Sequence, residues 1–257
     1  DYYFFEKLDN SKGSDHSYFN EWEQLASTIN YDVELPFSNT YVAQQLHNNI
    51  PHDSIMNFAI LNSLRSWSYF PLAAGIQGYA NVAAFGIDGC NSMLFGESMN
   101  TDKLCFIVTG DLAFFYDMNV LGIRHLKNNI RVLLINNGGG AEFKIMTGAW
   151  KENPHVERYI SANGHYGSTK GWAENCGFKY LTVSNKDEFT EVSSQFLDYS
   201  EQPVVLEVFT KEDDDALAVK TLIEANRHFS DSDKMKKILT NVIGEKGVKM
   251  IRSIIGK

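Results

Sequence analysis

The chain has 257 residues, of which 44% are hydrophobic and 21% charged, a composition typical of a globular protein rather than a disordered tail. Its net charge of −9 argues against a general binder of nucleic acids or anionic membranes, because either would need a clustered positive surface. A phosphorylated ligand is not excluded, since backbone amides and a metal ion can hold phosphate without net positive charge. The sequence has neither a membrane-length apolar run nor a secretion signal.

The three cysteines Cys90, Cys105 and Cys176 lie far apart and form no Cys-x-x-Cys motif. Their spacing is not that of a disulfide scaffold, a zinc ribbon or an iron–sulfur site. It predicts reduced thiols in a cytoplasmic protein. Because the chain starts at Asp1 without a methionine, we expect it to be part of a longer polypeptide.

The sequence divides into three regions. We predict that residues 1–35 form a linker or edge segment with a short helix near 19–29, and that residues 36–220 form the main domain. Residues 221–257 are expected to be a helical tail, since apolar residues recur at helical spacing over 234–255.

Within the main domain, short apolar runs alternate with helical patterns. Ser38 is a good N-cap for a helix that is predicted to reach about residue 48. Strands are predicted at 55–62, 104–108, 131–135, 178–183 and 203–209, and further helices at 113–127, 169–176 and 187–199. Short apolar strands that alternate with helices indicate an α/β fold, a parallel sheet with helices on both faces.

Two loops at strand ends carry an unusual sequence. Gly110-Asp111-Leu112-Ala113 follows one predicted strand, and Asn136-Asn137-Gly138-Gly139-Gly140 follows the next. Ligands of parallel α/β sheets bind where loops leave the carboxyl ends of the strands. Asp111 and Asn137 are 26 residues apart, about the length of one strand–helix–strand crossover. Both loops can therefore reach the same edge of the sheet.

The residue types of these loops favour a magnesium and phosphate site. The Asp111 carboxylate, the Asn137 amide oxygen and the Gly139 carbonyl form an oxygen-only set of the kind that magnesium prefers. Free amides near Leu112 would receive a diphosphate, and glycines allow the backbone to approach a ligand closely. Taken singly, Gly-Asp can be a helix cap and Asn-Asn-Gly a turn; their combination at this spacing favours a binding site.

The same pattern, Gly-Asp and then Asn-Asn closing a strand, resembles the signature of thiamine diphosphate enzymes in their C-terminal, diphosphate-binding domain. More narrowly, the sequence over 110–119 and 136–140 resembles menaquinone-pathway synthases. Those enzymes join 2-oxoglutarate to isochorismate to give 2-succinyl-5-enolpyruvyl-6-hydroxy-3-cyclohexene-1-carboxylate. Asn62-Ser63, the stretch 81–89 and Glu207-Val208-Phe209-Thr210 fit the same family, so the resemblance covers about 36–220.

The resemblance implies a role for individual residues. It implies Asp111, Asn137 and the Gly139 carbonyl as magnesium ligands. Residues expected against the cofactor, including its diphosphate, are Ser63, Gly110, Leu112, Ala113 and Gly140, with Phe85, Gly86 and Ile87 at its rings. Ile87 would be the apolar wedge that bends the cofactor, and the Phe85 carbonyl would accept from the aminopyrimidine. In the family, bending the cofactor brings the 4′-imino nitrogen of its aminopyrimidine close to the proton on C2 of its thiazolium ring, which that nitrogen must remove.

The chain departs from the family on the substrate side. Where the family has arginines that bind substrate carboxylates, this chain has Trp67 and Val82, and Arg65 lies two residues from the first. The loss of two such contacts should cost several kcal/mol of substrate binding. Glu142 replaces an isoleucine, and we interpret it as a candidate catalytic acid/base or hydrogen-bonding residue; the alternative is a solvated loop glutamate.

The resemblance implies a magnesium- and diphosphate-binding part of a thiamine diphosphate enzyme that decarboxylates a 2-oxo acid, with possible carboligation. Such enzymes need a glutamate from a pyrimidine-binding domain, which residues 1–35 are too short to contain. We expect that domain on the same polypeptide or on a partner subunit, in a homo-oligomer. Two alternatives are a subunit of a split 2-oxo acid decarboxylase and a non-catalytic module that keeps the fold.

Two further clusters have simpler interpretations. Asp213-Asp214-Asp215 precedes an apolar helical pattern, which predicts that these acids cap a helix. His155 and His165 lack metal-ligand spacing and a cysteine partner, so we interpret them as loop histidines.

Overall fold

A computed structural model describes residues 16–82, 86–145, 164–165 and 167–227. The chain forms two compact units, Val33–Glu224 and a second unit made of Asp1–Asp32 with Ala225–Lys257. In the second unit, helix α1 spans Ser17–Ser27, close to the predicted 19–29. The helix predicted at 234–255 lies outside the described residues.

The larger unit contains a six-stranded sheet in the order β2-β1-β3-β4-β6-β5, and every neighbouring pair is parallel. The strands are β1 Ile55–Phe58, β2 Gln77–Ala80, β3 Cys105–Gly110, β4 Ile130–Asn136, β5 Lys179–Val183 and β6 Val204–Phe209. The helices are α2 Asn39–Leu46, α3 Asn62–Ser68, α4 Cys90–Ser98, α5 Asp111–Tyr116, α6 Glu142–Ile145, α7 Lys170–Asn175, α8 Lys186–Leu197 and α9 Glu212–Ala225, with a 3-10 helix at Met118–Gly122.

Helices cover both faces of the sheet, which confirms the predicted α/β fold. On β3, Ile107 belongs to a buried cluster that includes Phe95 of α4 and Phe114 of α5. The next side chain back, Phe106, packs edge-on against Phe196 of α8, with ring centroids 5.7 Å apart. Because successive strand residues point to opposite faces, these contacts place helices on the two sides.

The Ser38 cap is confirmed, since its hydroxyl accepts from the Tyr41 amide at 3.1 Å at the start of α2. The helix predicted at 113–127 is wrong, because α5 ends at Tyr116 and the 3-10 helix follows. The break occurs at Asp117, whose carboxylate binds the Ser92 amide at 2.7 Å and hydroxyl at 2.6 Å. The Asp117 carboxylate thus caps the first turn of α4, at the residue where α5 has ended.

Near β1 the predicted strand 55–62 is too long. The strand ends at Phe58, and the chain turns at Leu61 to begin α3. Strand β2 and helix α4 were not predicted from the sequence. β2 is a short, largely exposed edge strand, and α4 begins after Gly89, which has a φ of +70°. Such short elements carry little periodicity.

All three cysteines are free thiols, as predicted. Burial raises the pKa of the Cys105 thiol to about 11. Among the residues that the structure describes, no helix has both the length and the apolar character that a membrane crossing requires.

The backbone at Leu61 has φ +65° and ψ −121°, a conformation that residues other than glycine rarely adopt. Leu61→Gly is therefore expected to raise the free energy of unfolding by about 1 kcal/mol, since relief of strain outweighs the added flexibility of the unfolded chain. Urea denaturation measures this change. The same substitution at the exposed, helical Leu217 should lower stability by about 1 kcal/mol. If Leu61→Gly and Leu217→Gly lower the free energy of unfolding equally, the backbone at Leu61 is not strained.

Candidate functional site

The loops after β3 and β4 meet at the carboxyl edge of the sheet. Asp111 is the first residue of α5, and its Oδ2 accepts from the Gly138 amide at 2.8 Å. Gly138 has φ +85°, a conformation that glycine adopts without strain and that helps turn its N–H toward the carboxylate. The contact joins two residues that are 27 positions apart in the sequence. It places the Asp111 carboxylate next to the Asn-Gly loop that follows β4.

The Asp111 carboxylate is buried and has polar partners at both oxygens. Its Oδ1 accepts from the Leu112 amide at 2.7 Å, and its Oδ2 also lies 2.9 Å from His165 Nε2. Burial raises the pKa of Asp111, and these hydrogen bonds partly oppose that shift by stabilising the charged form. A cation at this edge would stabilise the charged form further.

His165 lies outside the helices and strands and also reaches the site, which the sequence did not indicate. Its ring packs edge-on against Phe115, with ring centroids 5.4 Å apart, while Nε2 contacts Asp111. The position could not be found from spacing, because 54 residues separate the histidine from the aspartate. His155 lies outside the described residues.

Asn137 is held by a buried acid from α9. Its Nδ2 donates to Asp215 Oδ2 at 2.8 Å, and its Oδ1 accepts from the Gly139 amide at 3.2 Å. Asp213, Asp214 and Asp215 occupy the first turn of α9, as predicted. The sequence missed that Asp215 turns inward, where burial raises its pKa to about 6.

A cleft opens between these loops and the carboxyl end of β1. Of the predicted cofactor-binding and catalytic residues, it is lined by Ser63, Ile87, Gly110, Asp111, Leu112, Ala113, Asn137, Gly139, Gly140 and Glu142. The structure adds Asn39, Ile60, Leu61, Asn62, Ile135 and Ala141 to this lining. Gly86 lies beside the Asp88 side chain rather than in the lining, and Phe85 lies outside the described residues.

One wall of the cleft is apolar. Ile87 packs against a buried cluster of Ala59, Cys90 and Ala113. This places a branched aliphatic side chain next to the start of α5. The Leu112 amide, expected to face a diphosphate, donates to Asp111 Oδ1, so a bound diphosphate would share this donor with Asp111 or take the place of its oxygen.

A buried glutamate also lines the cleft, and its carboxylate pairs with a half-buried arginine. Glu142 begins α6 and is 5% exposed, and its Oε2 lies 2.5 Å from Arg65 Nη1. The Asn62 amide, with its nitrogen toward the carboxylate, donates to the same Oε2 at 2.9 Å and accepts from the Glu142 amide at 3.1 Å. Glu142 is therefore not a solvated loop residue.

The two side chains expected in place of the family's arginines do not line the cleft. Trp67 is buried and packs against Phe58, with ring centroids 5.7 Å apart. Val82 is 41% exposed beyond the end of β2. Arg65 does not line the cleft either, and its half-buried guanidinium is bound to Glu142.

The donor set fits a hard cation. Among the described residues, no three histidine, cysteine or acidic side chains gather in a way that could hold a metal ion. Asp111 and Asn137 instead offer carboxylate and amide oxygens, to which magnesium is suited. Asn39 Oδ1, in a residue that lines the same cleft, is buried without a hydrogen-bond partner, and a ligand donor could satisfy it.

The parallel sheet and the cleft at its carboxyl edge place the chain among α/β proteins that can bind ligands at strand ends. Residues 54–208 match the family described as "Thiamine pyrophosphate enzyme, C-terminal TPP binding domain". The chain belongs to this family of thiamine diphosphate-dependent enzymes, and the resemblance predicted from the two loops is confirmed.

Among curated proteins, the chain is similar to enzymes named 2-succinyl-5-enolpyruvyl-6-hydroxy-3-cyclohexene-1-carboxylate synthase. It is 35% identical to that of Bacteroides thetaiotaomicron over 201 residues, which is 77% of this chain and 36% of the relative. The identity is 34% for Bacteroides fragilis, over 79% of this chain and 36% of the relative. The enzyme of Christiangramia forsetii is 31% identical to this chain, and the alignment covers 70% of this chain and 31% of the relative. The chain thus aligns with about a third of the length of these relatives.

Proposed function

We propose that this chain is the magnesium- and diphosphate-binding half of a thiamine diphosphate enzyme that acts on a 2-oxo acid. The observation that carries this proposal is the contact between Asp111 Oδ2 and the Gly138 amide, which joins the two loops at the cleft. Membership of the thiamine pyrophosphate family supports the choice of cofactor. The names of the relatives support a synthase-like reaction. We propose that this reaction is decarboxylation of the 2-oxo acid with possible carboligation.

Each part of the cleft has a task in this proposal. Asp111, Asn137 Oδ1 and the Gly139 carbonyl would hold magnesium. Ser63 and the backbone of Gly110, Leu112, Ala113 and Gly140 would contact the diphosphate, and Ile87, with backbone of Phe85 and Gly86, would support the rings. When bound at these residues, the cofactor would supply nucleophilic and electron-accepting chemistry toward a 2-oxo acid. The chain's own residues bind and orient it and exclude water from the apolar wall.

The active site also needs a pyrimidine-binding domain that supplies a glutamate. We propose that this domain belongs to the same polypeptide or to a partner subunit, since the relatives are about three times as long as the aligned segment. We further propose a homo-oligomer, which light scattering would measure, and a cytoplasmic location, in keeping with three free thiols.

A second candidate is a subunit of a split 2-oxo acid decarboxylase. The buried Trp67 and the aliphatic Val82, in place of arginines that bind carboxylates, favour a substrate with fewer carboxylates than the synthase takes. Steady-state decarboxylation of mono- and dicarboxylic 2-oxo acids by the complete assembly would separate the two candidates.

Calorimetric titration with thiamine diphosphate, with and without magnesium, tests the proposed function. We expect binding that requires magnesium. If this chain does not bind, the titration is repeated with a pyrimidine-binding domain supplied. A second failure would refute the proposal and favour a non-catalytic module that keeps the fold.

Glu142→Ile restores the family's residue and is expected to change turnover of the complete assembly while cofactor affinity stays within about twofold, since Glu142 faces Arg65 rather than Asp111. Steady-state kinetics and calorimetry give the two quantities. Arg65→Met, which leaves the buried Glu142 without its cation, serves as the comparison. Unchanged turnover in Glu142→Ile would show that the ion pair has no part in the reaction.

A further inference from the structure

Asp215 is a buried carboxylate that three donors surround. Its Oδ1 accepts from the Asn39 amide at 2.7 Å, and its Oδ2 accepts from Asn137 Nδ2 at 2.8 Å and from the Thr210 hydroxyl at 3.0 Å. The residue is 3% exposed, at the start of α9. It thus joins the β4 loop, the end of β6 and the first turn of α2.

The contact with Asp215 determines whether the Nδ2 or the Oδ1 atom of the Asn137 amide points away from Asp215. A carboxylate has two acceptor oxygens and no donor, so the Asn137 amide must present Nδ2 to it. Asn137 Oδ1 is then left for the loop side, where the Gly139 amide lies 3.2 Å away. Only the oxygen of an amide can coordinate magnesium, so the opposite orientation would remove the ligand.

We propose that Asp215 is a positioning residue that orients the Asn137 amide so that its oxygen serves as a magnesium ligand. This inference rests on the proposed function, in which Asn137 binds the cation. Groups that orient a metal ligand commonly affect metal affinity about tenfold to a hundredfold. Asp215 acts through Asn137 and does not itself touch the cation in this proposal.

An asparagine at position 215 cannot satisfy the same partners. If its amide nitrogen faces Asn137 Nδ2, two donors meet, and the Asn137 amide must rotate its oxygen away from the cation. If its nitrogen faces the Asn39 amide instead, two donors meet at the start of α2. Asp215→Asn is nearly isosteric, so the change is one of hydrogen-bond polarity.

The test measures the magnesium concentration that gives half-maximal binding of thiamine diphosphate. Asp215→Asn is expected to raise this midpoint about tenfold to a hundredfold. Asp214→Asn removes the same charge from the neighbouring position and is expected to leave the midpoint within about twofold. Circular dichroism melting, followed alongside, reports any loss of folding.

Exchanging the two side chains provides the decisive measurement. Asn137→Asp alone sets two carboxylates against each other, whereas Asn137→Asp with Asp215→Asn restores a donor against an acceptor. Asp215→Asn is therefore expected to weaken magnesium binding when residue 137 is asparagine and to strengthen it when residue 137 is aspartate. A merely structural role would lower the melting temperature in both backgrounds without this change of sign.

The outcomes separate the two proposals. If the wild-type chain, with a pyrimidine-binding domain supplied, shows no magnesium-dependent binding, the proposed function fails. If the wild type binds but Asp215→Asn has the same midpoint, or the effect has one sign in both backgrounds, the role of Asp215 is refuted. Should Asp215→Asn not fold, the double variant compared with Asn137→Asp still decides the question.

Discussion

Replacing Asp111 by asparagine is expected to weaken magnesium-dependent binding of thiamine diphosphate by about a hundredfold. The carboxylate faces donors on both oxygens, the Leu112 amide at 2.7 Å and the Gly138 amide at 2.8 Å. The amide nitrogen of an asparagine must meet one of them, and the site also loses its anionic ligand. Both losses act on the same cation, so the effect is expected at the upper end of the range given for Asp215→Asn.

Calorimetric titration at fixed magnesium measures the affinity of the Asp111→Asn variant. Asp102→Asn is the matched control, because it removes the same charge from a side chain that is 99% exposed near the amino end of β3. That variant should bind like the wild type. Equal affinity in Asp111→Asn and the wild type would exclude Asp111 as a magnesium ligand.

Arg131→Met is expected to lower the free energy of unfolding by about 3 kcal/mol. Arg131 is fully buried on β4, and its guanidinium donates only to backbone carbonyls in the bonds observed. Nε binds the Phe196 carbonyl at 2.9 Å and Nη2 binds the Asp198 carbonyl at 2.7 Å, at the negative end of the α8 dipole. Nη1 binds the Asn128 and Ile130 carbonyls at 2.8 and 3.1 Å.

Methionine keeps the apolar stem of the side chain but leaves these carbonyls without their donors. Urea denaturation at pH 7 measures the loss of stability. Arg124→Met, at an exposed position, is expected to change stability by no more than about 0.5 kcal/mol. A similarly small effect at position 131 would mean that water replaces the guanidinium without cost.

Local sequence patterns were sufficient to predict the positions of the central strands of the sheet. The central strands β3 and β4 are almost wholly buried apolar runs, and their predicted positions needed only small extensions. The same patterns were insufficient at Asp117 and Leu61. In both places the element changes at one residue, beside a long-range side-chain contact or an unusual backbone angle, whereas periodicity is averaged over many residues.

The sequence by itself determined the parallel α/β class, the two loops at neighbouring strand ends and the cofactor family, because each depends on residues close together in the chain. Only the tertiary structure decided which side chains surround those loops. His165 meets Asp111 across 54 residues, Asp215 meets Asn137 across 78, and Arg65 meets Glu142 across 77. Such contacts depend on how helices and loops pack at the edge of the sheet, and packing leaves no periodic signal in the sequence.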